Sequence, residues 1–119
     1  FSIVIPSASV SALVGSSVIL PCGISPALNA RTFEVHWYKN ALYQNLVLLY
    51  KGQKVLENRN RVTLIGELDK GNISLKLDNL TLIDGGEYFC FVKTISWYEK
   101  GSMTLLVKVV HRMLSSRER

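Results

Sequence analysis

The sequence predicts an all-β fold, a sandwich of two antiparallel sheets joined by one disulfide. Three observations predict it. Apolar residues recur with period two over short runs, turn-forming residues separate those runs, and the two cysteines lie 68 positions apart. Period-two alternation puts every second side chain on one face, as a half-buried strand requires and a helix does not. The chain opens on a strand-like stretch, Phe1-Ser-Ile-Val-Ile. Val18, Leu20 and Cys22 then form one strand face, which Ser25-Pro26 ends. Val35 and Trp37 do the same within Glu34–Lys39, as do Ile73, Leu75 and Leu77 within Asn72–Asp78. Met103, Leu105, Val107 and Val109 line one face of the last strand. Lys51-Gly52, Asp69-Lys70-Gly71 and Asp84-Gly85-Gly86 supply turns between them. No segment holds a helical period for three turns, and many short strands at this spacing make a sandwich or a barrel.

A chain of 119 residues, 48% hydrophobic and 19% charged, has room for one domain with a proper core. The expected domain covers 1–110, and 111–119 reads as a basic, polar tail. The net charge of +5 invites a nucleic-acid reading, but Lys39, Lys51, Lys54, Arg59, Arg61, Lys70, Lys76 and Lys93 are dispersed. Without the three Arg and one Glu of 111–119 the charge falls to +3. Nucleic-acid recognition wants clustered basic side chains, so no nucleic-acid partner is expected. No run of 18 apolar residues occurs, so membrane attachment is expected only through a segment this chain lacks. Cys22 and Cys90 have no neighbouring ligands, and His36 and His111 lie far from both, which favours a disulfide over a metal. A disulfide places the protein in an oxidising compartment. The sequons Asn72-Ile73-Ser74 and Asn79-Leu80-Thr81 point the same way, making Asn72 and Asn79 candidate glycosylation sites. The expected location is extracellular, either secreted or as the ectodomain of a plasma-membrane protein.

The cysteine spacing selects the sandwich over the barrel. Trp37 follows Cys22 by fifteen residues, and Cys90 closes the run Asp84-Gly-Gly-Glu-Tyr-Phe-Cys. A disulfide between sheets, a Trp packed on it and a Tyr two residues before the second Cys mark the immunoglobulin sandwich, with Tyr88 as its tyrosine corner. The distance between the cysteines leaves room for the two extra strands of the variable type, expected near Leu46–Tyr50 and Gln53–Leu56. The segments Leu13–Pro26, Asn29-Ala30, Glu34–Tyr38, Leu49–Gly52, Arg61–Thr63 and Asp84–Val92 resemble the V-set domains of butyrophilins and myelin-oligodendrocyte glycoprotein. The likeness runs from Ser11 to Val109, and the Leu-Pro-Cys-x-Ile-Ser-Pro run is what points to this branch. The resemblance implies an ion pair between Arg61 and Asp84 at the base of the sandwich. Antigen-receptor variable domains carry a Phe-Gly-x-Gly bulge before the last strand; this chain reads Tyr98-Glu-Lys-Gly-Ser-Met103 instead.

If Val35, Trp37 and Cys90 face the core, their neighbours face outward. The outward set is then Glu34, His36 and Tyr38, with Phe89, Phe91 and Lys93 on the strand of Cys90. Leu48 and Tyr50 are expected to join them, with Thr104 and Leu106 from the last strand. These strands are neighbours in the GFCC′ sheet of a V-set domain, so the set forms one apolar, aromatic patch, the usual mark of an interaction surface. Trp97 and Tyr98 sit beside it in the preceding loop, and both residue types are enriched at binding hot spots. Sugars on Asn72 and Asn79 would cover the opposite sheet and leave this face clear. No catalytic constellation is present: His36 lies mid-strand on an open face and His111 in the tail. No enzyme activity, cofactor or metal is expected. The resemblance implies a butyrophilin-like surface protein that binds a protein counter-receptor and modulates lymphocyte activation. Two other readings use the same face: homophilic adhesion between two copies, and pairing as a variable-type immune receptor domain.

Overall fold

The computed structural model describes residues 1–40 and 45–110; the expected tail 111–119 lies outside the described residues. The strands are β1 (Ser2–Val4), β2 (Ser9–Leu13), β3 (Val18–Leu20), β4 (Gly23–Ser25), β5 (Glu34–Lys39), β6 (Leu46–Lys51), β7 (Lys54–Asn58), β8 (Val62–Leu64), β9 (Leu75–Leu77), β10 (Gly86–Lys93) and β11 (Tyr98–Lys108). They form two layers. The front sheet has the order β2-β11-β10-β5-β6-β7, antiparallel throughout except for the parallel pair β2–β11. The back layer is β3-β9-β8, with the pair β1–β4 continuing it. β3 and β4 are one strand interrupted at Pro21-Cys22, where proline offers no N–H to a ladder. The N–H of Cys22 goes instead to Ser74 Oγ at 3.2 Å.

The core fills the space between the layers. Leu20, Cys22, Ile73, Leu75 and Leu77 come from the back; Val35, Trp37, Tyr88, Cys90, Val92, Met103 and Leu105 come from the front. The Cys22–Cys90 disulfide ties the layers together. Trp37 pairs in register with Cys90, is fully buried, and donates Nε1–H to the carbonyl of Ile73 at 3.0 Å. That bond satisfies the one polar atom the indole brings into the core. Gly101 stands opposite Cys90, where the added bulk of a Cβ would come within 2.8 Å of Ile3 and 2.9 Å of Ile5. The missing side chain lets the N-terminal segment cross close over β11.

The pole where β11 ends is closed by polar contacts. Arg61 forks onto Asp84, Nη1 to Oδ2 at 3.1 Å and Nη2 to Oδ1 at 3.2 Å, and also donates to the carbonyls of Asp78 and Asn79. Asp84 caps the short turn Leu82–Asp84, accepting from Thr81 N at 2.8 Å. The Tyr88 hydroxyl donates to the Asp84 carbonyl at 2.5 Å. Burial pushes that phenol up to about 12, so it stays a donor across the physiological range.

Two expected outward residues point the other way. Leu48 pairs with Trp37, and Tyr50 with Val35, so both share the inner face with those core residues. Both are buried, and the Tyr50 hydroxyl reaches the carbonyl of Arg31 at 2.5 Å. The cause is register. Pairing with Trp37 and Val35 sets Leu48 and Tyr50 inward; beyond them the pairing jumps to Tyr38–Leu46, a bulge that puts Val47 in the core beside Leu48 and Leu46 on the outer face. Leu46 and Leu49 occupy the outer positions instead.

Candidate recognition face

The outer side of the front sheet is built in cross-strand rows, because paired residues share a face. Glu34, Lys93 and Tyr98 form one row; Glu57, Leu49, His36, Phe91 and Lys100 form the next; Leu46, Tyr38, Phe89 and Ser102 form the third. Their rings are stacked in two short arrays. Tyr98 stacks on Phe91 at 5.6 Å, and Phe91 meets the edge of His36 at 5.2 Å. Phe89 lies parallel to Tyr38 at 5.1 Å, with the Lys100 ammonium 5.8 Å above its ring. The neighbours roof His36 and Tyr38, which are only 7% and 6% exposed. These two therefore form the floor of the patch, while Phe89, Phe91, Leu46 and Leu49 form its partly exposed surface.

A charged cluster borders this floor. His36 Nε2 lies 2.7 Å from Glu34 Oε2, and Lys51 Nζ lies 3.8 Å from Glu34 Oε1. The hydrogen bond with His36 holds the Glu34 carboxyl below its ordinary range, against the opposing effect of burial; Lys51 and Lys93 add to the lowering. Glu34 is thus an anion at neutral pH, held in place on an otherwise cationic edge.

The β10–β11 hairpin extends the patch at one end. Its turn is Thr94–Trp97, closed by Thr94 N to the Trp97 carbonyl at 2.7 Å. Ile95 is fully exposed, Trp97 is 54% and Tyr98 66% exposed, and Trp97 Nε1 donates to Glu99 at 3.2 Å. The tip is therefore a short hydrogen-bonded turn presenting Ile95 and Trp97 to solvent. Leu106, at the far end of β11, is exposed, and Thr104 is partly covered.

The sequence reading missed Leu46, Leu49, Lys100 and Ile95. The unbroken apolar run Leu46-Val-Leu-Leu-Tyr gives no alternation to read, so its register could not be set without β5. Ile95 was legible as an apolar residue two positions before Trp97. Of the two sequon asparagines, Asn72 enters the back layer through a bridge to Gly23, and its Oδ1 accepts from Ser74 Oγ at 2.6 Å. Asn79 lies at the Arg61 pole with φ 48°. Both side chains are on exposed residues away from the front sheet.

The two-layer topology, the inter-layer disulfide with its Trp, and the Arg–Asp and tyrosine closure of one pole define a variable-type immunoglobulin domain. The immunoglobulin V-set domain family matches residues 5–108, and the chain belongs to it. Among its relatives it is similar to the myelin-oligodendrocyte glycoprotein of Callithrix jacchus, with 35% identity over 115 residues, 91% of this chain and 46% of that protein. It is also similar to butyrophilin subfamily 2 member A2 of Mus musculus, with 30% identity over 90% of this chain and 22% of that protein. The chain thus spans about half the length of the myelin-type relatives and less of the butyrophilins. Bovine butyrophilin is a solved structural neighbour, with TM-score 0.81 and 26% identity over 93% of this chain and 56% of that one.

Proposed function

We propose that this domain is the extracellular recognition module of a butyrophilin-like cell-surface protein, and that it binds a protein counter-receptor through the outer face of the front sheet to modulate lymphocyte activation. The observation that carries the reading is the ring array on the outer face, which Tyr98 continues to the base of the hairpin turn. Tyr98 joins Phe91, Phe89, Leu49 and Leu46 in one apolar surface flanked by Glu34, Lys51, Lys93 and Lys100, and the exposed Ile95 and Trp97 stand in the turn at its hairpin end. An apolar centre inside a charged rim is the anatomy of a protein interface, with Trp and Tyr as its anchors. Glycans on Asn72 and Asn79 would leave this face open. Likeness to butyrophilins supports the lymphocyte setting. Recognition here needs no catalysis, cofactor or metal.

A second reading, self-association, has its own support. Glu57 and Lys100 lie at opposite ends of one row, so a second copy related by a two-fold axis along the strands would set each Lys against the other's Glu. Sedimentation equilibrium of the glycosylated domain over a wide concentration range separates the two readings. A monomer at every concentration, together with staining of lymphocytes by a multimerised domain that Phe91→Ser/Trp97→Ser abolishes, is the expected result. A dimer dissolved by the same double substitution assigns the face to a second copy. Staining that survives the double substitution rejects this face as the binding surface.

A further inference from the structure

The pole opposite the hairpin tip carries an apolar knob beside a cationic pocket, and neither belongs to the recognition face. Backbone hydrogen bonds fix its make-up. Val14 N donates to Lys108 O at 2.9 Å where β11 ends, Gly15 N to Leu80 O at 2.8 Å, and Leu80 N to Ser16 O at 3.0 Å. From Leu80 the chain enters the capped turn Leu82–Asp84, whose rigid frame holds Leu82 at 59% and Ile83 at 85% exposure. Val14, Val109 and Val110 are also exposed. Ile83 stands almost wholly in solvent at the summit of the turn, while Leu82 lies partly against the end of β11.

Next to Ile83 lies a cavity of about 230 Å³ whose charged lining is Lys39, Arg59, Arg61 and Asp84. The single carboxylate is spent: both Asp84 oxygens hold Arg61, and one also takes Thr81 N and Oγ1. Lys39 donates to the carbonyl of Ile83 at 2.5 Å, a neutral partner. Lys39 and Arg59 therefore stand without a counter-charge in the lining, a surplus of two positive charges. Burial depresses the Lys39 ammonium, Asp84 partly restores it, and Arg59 lowers it further, as crowded like charges do.

We propose that this pole seats on a phospholipid surface, with Ile83 and Leu82 entering the headgroup–acyl boundary and the Lys39–Arg59–Arg61 pocket taking a lipid phosphate. An oxyanion supplies the missing counter-charge, and the adjacent knob selects a lipid over a soluble anion, since only a membrane offers an apolar layer beside its phosphates. A sulfated polysaccharide would satisfy the pocket and leave Ile83 in water. Seated this way, β11 stands away from the membrane and lifts the hairpin tip by roughly 33 Å over its 11 residues. The recognition face then points sideways and the tip outward.

The test is flotation of the unglycosylated 119-residue chain, since a sugar on Asn79 would stand at this same pole, with vesicles of phosphatidylcholine alone and of mixed phosphatidylcholine and phosphatidylserine. Arg59 and Ile83 are exposed, so Arg59→Ser and Ile83→Ser keep the melting temperature of the parent. The expected result is binding strongest to the mixed vesicles, reduced about fivefold by Arg59→Ser and about tenfold by Ile83→Ser. Phe91→Ser, on the other face, leaves it unchanged. No association, or association indifferent to both substitutions, overturns the proposal. Loss with Arg59→Ser alone, with full displacement by heparin or by inorganic phosphate, reassigns the pocket to a soluble anion. A vesicle-free increase in mass that Ile83→Ser abolishes reassigns the pole to a second copy.

Discussion

Asp84 ties three parts of its pole together. It pairs with Arg61, caps the Leu82–Asp84 turn through Thr81, and offers its carbonyl to Tyr88. Burial raises its carboxyl pKa, yet the hydrogen bonds from Arg61 and Thr81 outweigh that and leave it below the ordinary 3.8. The folded protein therefore gives up this proton at lower pH than the unfolded chain does. The stabilisation is complete above the unfolded value and is lost as pH falls through the folded one. Melting temperature followed from about pH 5 to about pH 2 should fall in the parent and fall less in Asp84→Asn, which is less stable at neutral pH by about 1 kcal/mol because its hydrogen bonds from Arg61 and Thr81 lose their charged acceptor. An equal acid slope in both proteins would show that Asp84 does not control the transition. Tyr88 acts in the opposite direction. Its raised pKa makes its contribution complete below pH 10 and lost as pH climbs towards about 12. Gly66 shows a different kind of constraint, since a Cβ there would sit 2.1 Å from the carbonyl oxygen of Asn72.

Among the elements, β6 decides what the proposed recognition face contains. A regular strand would send Leu46, Leu48 and Tyr50 to one side; the bulge beside Trp37 leaves Leu48 and Tyr50 together on the core side and moves Leu46 to the outer one. Leu48 goes under Trp37, and Leu49 goes beside His36. The two neighbours should respond to truncation very differently. Leu48→Ala should cost about 3 kcal/mol by opening a cavity in the core. Leu49→Ala should cost less than about 1 kcal/mol, because its site is already partly open to solvent. Chemical denaturation measures both, and equal losses would mean that β6 does not pair with β5 in this register. The Thr94–Trp97 turn has the complementary role: it is short and internally hydrogen-bonded, so its two apolar side chains are presented at little conformational cost.

At the scale of the whole molecule, the two layers are held by burial and by one covalent tie. Cys22 and Cys90 close a loop of 68 residues, which contributes about 4 kcal/mol in the chain-entropy view. Domains of this size are stable by only about 5–15 kcal/mol, so the tie is a large share. Cys22→Ala/Cys90→Ala should lower the unfolding free energy by about 4 kcal/mol, read from urea unfolding at constant m. A loss under about 1 kcal/mol would mean that the unfolded chain is already compact. The molecule has two chemically distinct ends: an apolar hairpin tip near the ring arrays, and a cationic pole with its aliphatic knob.

Alternation and spacing alone determined the class of fold, the strands of Val35, Cys90 and Met103, the disulfide and its Trp. Each follows from local period or from chemistry that needs no partner strand. The resemblance to V-set domains added the Arg61–Asp84 pair, which the structure contains. Three things waited for tertiary structure: which side of β6 faces out, how far neighbours cover His36 and Tyr38, and which cations at the pole lack a counter-charge. All three depend on what stands across a strand pair or a loop crossing. A uniformly apolar run such as Leu46–Tyr50 has no period of its own, so only pairing with β5 gives it a face.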